Sequence, residues 1–134
     1  MTADSPELAR FMRVEIVPSE FPHRDHVQIA YEMLMRHDFP ETVLLFSRTL
    51  RAMAEKAGRP EAFHQTVTIA FLSLIAERMH GAPAEDFAAF ARANPDLLEK
   101  TLLARWYGAE RLNSALARRT FLLPDPPPPS PGTR

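Results

Sequence analysis

The segment from Pro60 to Gly81 constrains the fold of this chain more than any other, because it is the longest run with a helical apolar period. Pro60 suits the first turn of a helix, where a missing N–H costs nothing, and Gly81 suits the position just past a helix end. Apolar residues recur there at steps of three and four, namely Phe63, Val67, Ala70, Phe71, Leu74 and Ile75. Such a period gives one broad apolar face that must be buried, so the segment predicts a central core helix.

The composition is that of an ordinary globular domain. The chain has 134 residues, 46% of them hydrophobic and 25% charged, which suits one hydrophobic core rather than two domains. Its formal net charge of −1 predicts neither a nucleic-acid nor a membrane partner. Cysteine is absent, which excludes disulfides, thiolate metal ligands and cysteine nucleophiles. Since the sequence shows no signal peptide and no run of about 18 apolar residues, we expect a cytoplasmic protein.

Helices are also predicted ahead of the central segment. Residues 5–12 favour a short helical turn, and residues 23–37 carry apolar side chains at helical spacing. Asp38 followed three positions later by Glu41 has the form of a capping box, which predicts the start of a further helix. Gly58 is placed to end that helix.

The C-terminal third predicts shorter helical pieces. Residues 83–93 form the first, and it stops before Pro95. Asn94 is a good N-cap for the next helix, whose leucines predict a buried side through about Tyr107. A last turn or two follows over residues 109–119, and 121–123 are expected to pack back onto the domain.

The fold class follows from these segments. No stretch of alternating polar and apolar residues supports a strand, so we predict an all-α, compact bundle of five or six helices over residues 1–123. From Pro124 the sequence PDPPPPSPGTR offers no apolar side chain to bury. Residues 124–134 are therefore predicted to be a disordered, proline-rich tail.

Two polar clusters lie where long helices are predicted to begin. The first is Phe21-Pro22-His23-Arg24-Asp25-His26 and the second is His64-Gln65-Thr66-Val67-Thr68. In an up-down bundle the first and third long helices run parallel, so both clusters lie at one end of the molecule. We therefore predict one site there, with candidate catalytic groups His23, Asp25, His26 and His64. The candidate substrate-binding groups are the hydroxyls of Thr66 and Thr68.

The same cluster suggests a metal. Imidazoles together with a carboxylate suit zinc, iron or copper, and helical bundles build metal sites from such side chains. His23, His26 and His64 are accordingly candidate ligands of a divalent transition metal. The spacing matches neither His-Glu-x-x-His nor the Glu-x-x-His pairs of di-iron bundles.

Each of these residues also has a structural interpretation. His26 and His64 suit partly buried core histidines whose ring nitrogens bond to Thr66, Thr68 or a free carbonyl. Asp25 suits the positive end of a helix dipole. Thr68 suits a local bond back to the carbonyl of His64, as helical threonines often make.

Several short blocks occur together along the chain: F-x-H-x-D-H at 21–26, H-x-T-x-T at 64–68, N-P-x-L-L at 94–98, Ala117-Arg118 and Pro124-Asp125. In this combination, over about residues 21–125, the sequence resembles a family of small uncharacterised bacterial all-helical proteins. The resemblance implies a helical fold with a shared polar site and brings no established reaction. Gln65 stands where that family has an acidic residue, so the resemblance implies no catalytic carboxylate at this position.

Two classes of function are left open by the sequence. The first is a protein that binds a small molecule or a metal at a polar His/Asp/Thr site at one end of the bundle, including a metal-assisted enzyme. The second is a non-catalytic protein-interaction module whose histidines are structural and whose proline-rich tail is a ligand for a partner. Homo-oligomer formation is compatible with both.

Overall fold

The computed structural model describes residues 4–126, and over that range it consists of helices and loops without a strand. The α-helices are α1 (Pro6–Met12), α2 (His23–Arg36), α3 (Phe39–Lys56), α4 (Gln65–Gly81), α5 (Phe87–Ala93), α6 (Ala109–Leu112) and α7 (Ala115–Arg119). Short 3₁₀ helices cover Pro18–Glu20, Pro60–Ala62, Pro95–Leu98 and Leu102–Arg105. The predicted all-α class is confirmed. None of the helices in 4–126 is both long enough and apolar enough to cross a membrane.

Local sequence signals determine both ends of α3. The Asp38 carboxylate accepts a hydrogen bond from the Glu41 N–H at 2.9 Å, as an N-cap does. At the other end Gly58 has a φ of +76°, a left-handed conformation that glycine adopts without a Cβ clash. The Glu41 carboxylate pairs with the His37 ring rather than with the Asp38 backbone, so only half of the predicted capping box forms.

The central helix begins later than its sequence predicts. Pro60–Ala62 forms a separate 3₁₀ turn, Phe63 and His64 are extended, and α4 starts at Gln65. The physical reason is the His64 side chain, whose Nδ1 accepts the Val67 N–H at 3.2 Å and so caps the helix. The predicted start at Pro60 is therefore wrong, and the predicted end differs by one residue, because Gly81 is the last residue of α4 and Ala82 follows as its C-cap.

Helix α4 is the element around which the others pack. It lies against α2, α3 and α7 and also contacts the 3₁₀ helices Pro95–Leu98 and Leu102–Arg105. Its inward side chains Phe71, Leu72 and Ile75 are buried with the large apolar side chains of the other helices. Burying a side chain of this size contributes about 1.5–3 kcal/mol, so the apolar period of α4 supplies a large share of the core energy.

The predicted helix over 95–107 is wrong, because this part of the chain forms two separate 3₁₀ turns. Asn94 does not cap either of them. Its amide donates to the Phe90 carbonyl at 3.0 Å, and its oxygen accepts a bond from Arg78 at 3.0 Å. Arg78 also binds the Asp96 carboxylate through two bonds of 2.9 and 2.8 Å. A tertiary contact with α4 thus replaces the local cap.

The segment after α7 packs back onto the domain through its backbone, in agreement with the expectation. The Tyr107 hydroxyl donates to the Leu122 carbonyl at 2.7 Å, and Arg111 Nε donates to the Leu123 carbonyl at 2.9 Å. The side chains of Phe121 and Leu123 remain 39% and 69% exposed. Hydrogen bonds rather than apolar burial therefore hold this segment.

The anchored part of the chain extends past the predicted start of the tail at Pro124. The Asp125 N–H donates to the Trp106 carbonyl at 3.1 Å, and the Asp125 carboxylate accepts the Gly108 N–H. The rest of the predicted tail, residues 127–134, lies outside the described residues.

Candidate functional site

A cavity of about 190 Å³ lies between α2, α3 and α4 and the loops that lead into α2 and α4. Its walls are mainly apolar and include Phe21, Phe46, Leu50, Met53, Phe71 and Leu72. The polar side chains that line it are His23, His26, His64 and Thr68. Within residues 4–126 no aspartate, glutamate, lysine or arginine is among the lining residues.

This cavity joins the two polar clusters of the sequence. Helices α2 and α4 contribute residues from their N-terminal parts, 23–30 and 67–75, whereas α3 contributes residues from its middle and C-terminal part, 46–54. This is the arrangement expected when neighbouring helices alternate in direction, since the starts of α2 and α4 then share one end. Part of the predicted site is thereby brought to one place.

His64 uses both of its ring nitrogens for the backbone. Nε2 donates to the Leu112 carbonyl at 2.7 Å, and Nδ1 accepts the Val67 N–H at 3.2 Å. Because a carbonyl can only accept and an N–H can only donate, these two bonds specify the neutral ring and its tautomer. No lone pair or proton of His64 is left for a ligand or a metal.

His23 uses one ring nitrogen in the same way. Nε2 donates to the Leu97 carbonyl at 2.9 Å, so Nδ1 is an acceptor. The ring packs edge-on against Phe71, with 4.7 Å between the ring centroids. Burial lowers the pKa of His23, against the opposing effect of the Leu97 carbonyl, and the charge of Lys100 lowers it further. His23 is therefore neutral at physiological pH.

His26 lies deeper, stacked on Phe21 with 4.1 Å between the ring centroids. Burial lowers its pKa from 6.5 to about 4, and the neighbouring His23 adds to that effect, while the Phe21 carbonyl acts in the opposite direction. The centroids of the two histidine rings are 6.4 Å apart. Two neutral imidazoles thus stand side by side at the cavity wall.

The two threonines have different roles. Thr68 lines the cavity, and its hydroxyl donates to the His64 carbonyl at 2.7 Å, which is the local bond that helical threonines often make. Thr66 is fully buried and is not a lining residue. Its hydroxyl donates to the Thr120 carbonyl at 2.6 Å and accepts the Leu122 N–H at 3.1 Å. Thr66 therefore holds the C-terminal segment against α4.

Asp25 lies in the first turn of α2 and is not among the residues that line the cavity. Its position is the one that a helix dipole favours for an acidic group. Of the predicted site, the structure thus brings together His23, His26, His64 and Thr68 and leaves Asp25 and Thr66 outside the cavity wall.

The predicted metal site gains no support from this geometry. Within 4–126 no group of three or more His, Cys, Asp or Glu side chains is placed to hold a metal ion. Of the three candidate ligands, His64 has both ring nitrogens bonded to the backbone. Only His23 and His26 keep a nitrogen for another partner.

Sequence reasoning missed the wall that α3 contributes, with Phe46, Leu50 and Met53. The helical period of these residues predicts only that they are buried. No signal in one sequence distinguishes a side chain that borders a cavity from one that is packed on all sides.

None of the protein-family models, curated proteins or solved structures compared with this chain matches it. The resemblance to small bacterial helical proteins therefore stays a prediction that rests on the short sequence blocks.

Proposed function

We propose that this protein binds a small, mostly apolar molecule in the cavity between α2, α3 and α4. The observation that carries the proposal is a space of about 190 Å³ whose walls combine apolar side chains with two neutral imidazoles. A core cavity of roughly 150 Å³ is large enough to bind benzene. The space found here suits a ring with one or two small substituents.

The cavity is poorly explained as a packing feature alone. Large side chains such as Phe46 and Phe71 lose dispersion contacts with other protein atoms where they border the cavity. The rings of His23 and His26 are desolvated beside it, which is also unfavourable. An arrangement that lowers stability on both counts favours a role in binding.

Binding rather than a metal-assisted reaction is what we propose, because the candidate ligands do not converge on one point. A neutral imidazole is a competent general base, so catalysis by His23 or His26 is compatible with the same cavity. The alternative of a protein-interaction module, the cytoplasmic location and homo-oligomer formation stay predictions.

Ligand-dependent thermal stability tests the proposal. A ligand that binds the folded state alone raises the midpoint of unfolding with its concentration, so a set of ring-sized apolar fragments should include stabilising members. Ala54→Leu should abolish that rise, because Ala54 is buried and lines the cavity.

The matched control is Ala52→Leu, at a residue of the same helix that is only half-buried and does not line the cavity. It should retain the response of the wild type. If no fragment stabilises the wild type, or if Ala54→Leu responds as strongly as Ala52→Leu, the proposed function is wrong.

A further inference from the structure

Two hydrogen-bonding groups beside the cavity, on His23 and Thr68, are left as acceptors rather than donors. His23 commits its ring proton to the Leu97 carbonyl, which leaves Nδ1 with a lone pair. Thr68 commits its hydroxyl proton to the His64 carbonyl, so the remaining capacity of Oγ1 is to accept. His64 offers a ligand neither a donor nor an acceptor, because both of its ring nitrogens are bonded to the backbone.

His26 supplies a second imidazole acceptor. Burial lowers its pKa to about 4, so the ring is neutral and one of its two nitrogens is protonated. The other nitrogen then carries a lone pair. No fully buried side-chain nitrogen or oxygen in the described part of the chain lacks a partner. The open nitrogens of His23 and His26 are therefore accessible, and both rings line the cavity.

The residues that line the cavity also favour an uncharged ligand. The lining residues within 4–126 include no ionisable side chain other than the three histidines. A carboxylate or phosphate placed there would lose its hydration beside the lone pairs of His23 and Thr68 without meeting a lysine or arginine, and an ammonium ion would meet no carboxylate. An uncharged molecule avoids both penalties.

We propose that the ligand is an uncharged molecule about the size of a substituted aromatic ring, which donates an O–H or N–H group to the open nitrogen of His23 or His26. Phenols, indoles and compact alcohols belong to this class. The inference rests on the proposed function, because it specifies which apolar molecules the cavity selects.

Calorimetric titration of the intact protein with phenol, toluene and benzoate tests this inference. Phenol and toluene have nearly the same shape and differ in one donor, and phenol is neutral near pH 7 because its pKa resembles the value of about 10 for tyrosine. EDTA in every sample keeps adventitious metal from contributing. We expect phenol to bind about tenfold more tightly than toluene, the effect of one net hydrogen bond, and benzoate more weakly than toluene.

The outcomes separate the two proposals. If toluene binds as tightly as phenol, or if benzoate binds more tightly than toluene, the cavity binds small molecules but the inferred ligand class is wrong. If none of the three probes binds, the proposed function and the inference both fail.

Substitutions of the two histidines test which ring accepts the hydrogen bond from the ligand. His26→Leu keeps the apolar wall and removes a lone pair, so the ratio of phenol to toluene affinity should fall toward one, and further so when combined with His23→Leu. His80→Leu, at an exposed histidine at the end of α4, should keep the wild-type ratio. An unchanged ratio in the double variant, or a lost ratio in His80→Leu, overturns the assignment.

A measurement on the wild type does not depend on how well the variants fold. In two-bond proton–nitrogen spectra the open, pyridine-type nitrogen of His23 or His26 should shift when phenol is added and not when toluene is added. Equal shifts with both probes contradict a hydrogen bond from the ligand.

Discussion

His64 donates a hydrogen bond of 2.7 Å to the carbonyl of Leu112, a residue 48 positions further along the chain. Leu112 is the last residue of α6, so its carbonyl has no acceptor role within its own helix. The other nitrogen of the same ring caps the start of α4. One neutral side chain thereby satisfies unpaired groups at the ends of two helices.

Replacing this ring should therefore affect stability first. His64→Ala removes an N-cap, which is worth about 1 kcal/mol, and leaves the Leu112 carbonyl without its partner. We expect a loss of about 1–3 kcal/mol in the free energy of unfolding, measured by urea denaturation. His80→Ala is the control and should stay within about 0.5 kcal/mol of the wild type, since His80 is exposed. Equal stability of the two variants would show that the backbone bonds of His64 contribute nothing.

Thr66 and Thr68 provide a second matched pair. Thr66→Val leaves the Thr120 carbonyl and the Leu122 N–H without their partner, so we expect a loss of about 2–3 kcal/mol. In Thr68→Val the His64 carbonyl still accepts the backbone N–H of residue 68, and the expected loss is below about 1 kcal/mol.

Hydrogen exchange gives this pair an independent readout. The amide of Leu122 should exchange faster in Thr66→Val and at the wild-type rate in Thr68→Val. A larger stability loss in Thr68→Val than in Thr66→Val would contradict the role assigned to Thr66.

The core prediction concerns Phe71, which is 8% exposed and packs against the ring of His23. Phe71→Ala should cost about 3–5 kcal/mol in denaturant melts, as deletions of buried aromatic side chains do. Because Phe71 also borders the cavity, the lower end of that range is expected. Leu123→Ala, at a side chain that is 69% exposed, should cost less than about 0.5 kcal/mol. A loss below about 1 kcal/mol for Phe71→Ala would mean that α4 is not the centre of the core.

Some of the fold could be predicted from the sequence because the responsible interactions are local. The cap of α3 joins Asp38 to Glu41, three residues apart, and Gly58 ends the helix through its own φ angle. The apolar period of α4 likewise depends on nothing outside the helix. These signals are complete within one or two turns of chain.

Other features depend on partners that the sequence does not place. The later start of α4 depends on the His64 cap, whose ring is also bonded to the Leu112 carbonyl. Asn94, which the sequence predicts as an N-cap, instead accepts a hydrogen bond from Arg78. The residues of the predicted site likewise divide into those whose position follows from the sequence and those whose position depends on distant partners. That His26 and His64 share one end of the bundle follows from helix order, whereas the exclusion of Thr66 follows from its bonds to the chain after α7.

The pH dependence of stability gives the last prediction, and it depends on His23 and His26. Burial lowers the pKa of both rings, and Lys100 disfavours the protonation of both. Well above the ordinary histidine pKa of about 6.5 the folded and unfolded states both carry neutral rings, so these residues add no pH dependence there. As the pH falls below that value, the two histidines bind protons in the unfolded state but not in the folded state, so the free energy of unfolding decreases. For His26, whose pKa is about 4 in the folded protein, the full effect is roughly 3 kcal/mol.

His26→Leu isolates this effect. Urea unfolding of the wild type, His26→Leu and His80→Leu is compared at about pH 7 and about pH 4.5. Between these two conditions the variant at residue 26 should lose about 2–3 kcal/mol less stability than the wild type, because it has no ring to protonate in the unfolded state. His80→Leu, which alters an exposed residue, should lose as much as the wild type. If the wild type and His26→Leu lose the same stability on acidification, His26 accepts a proton in the folded protein as readily as in the unfolded chain. The desolvation that we assign to His26 at the cavity wall would then be absent.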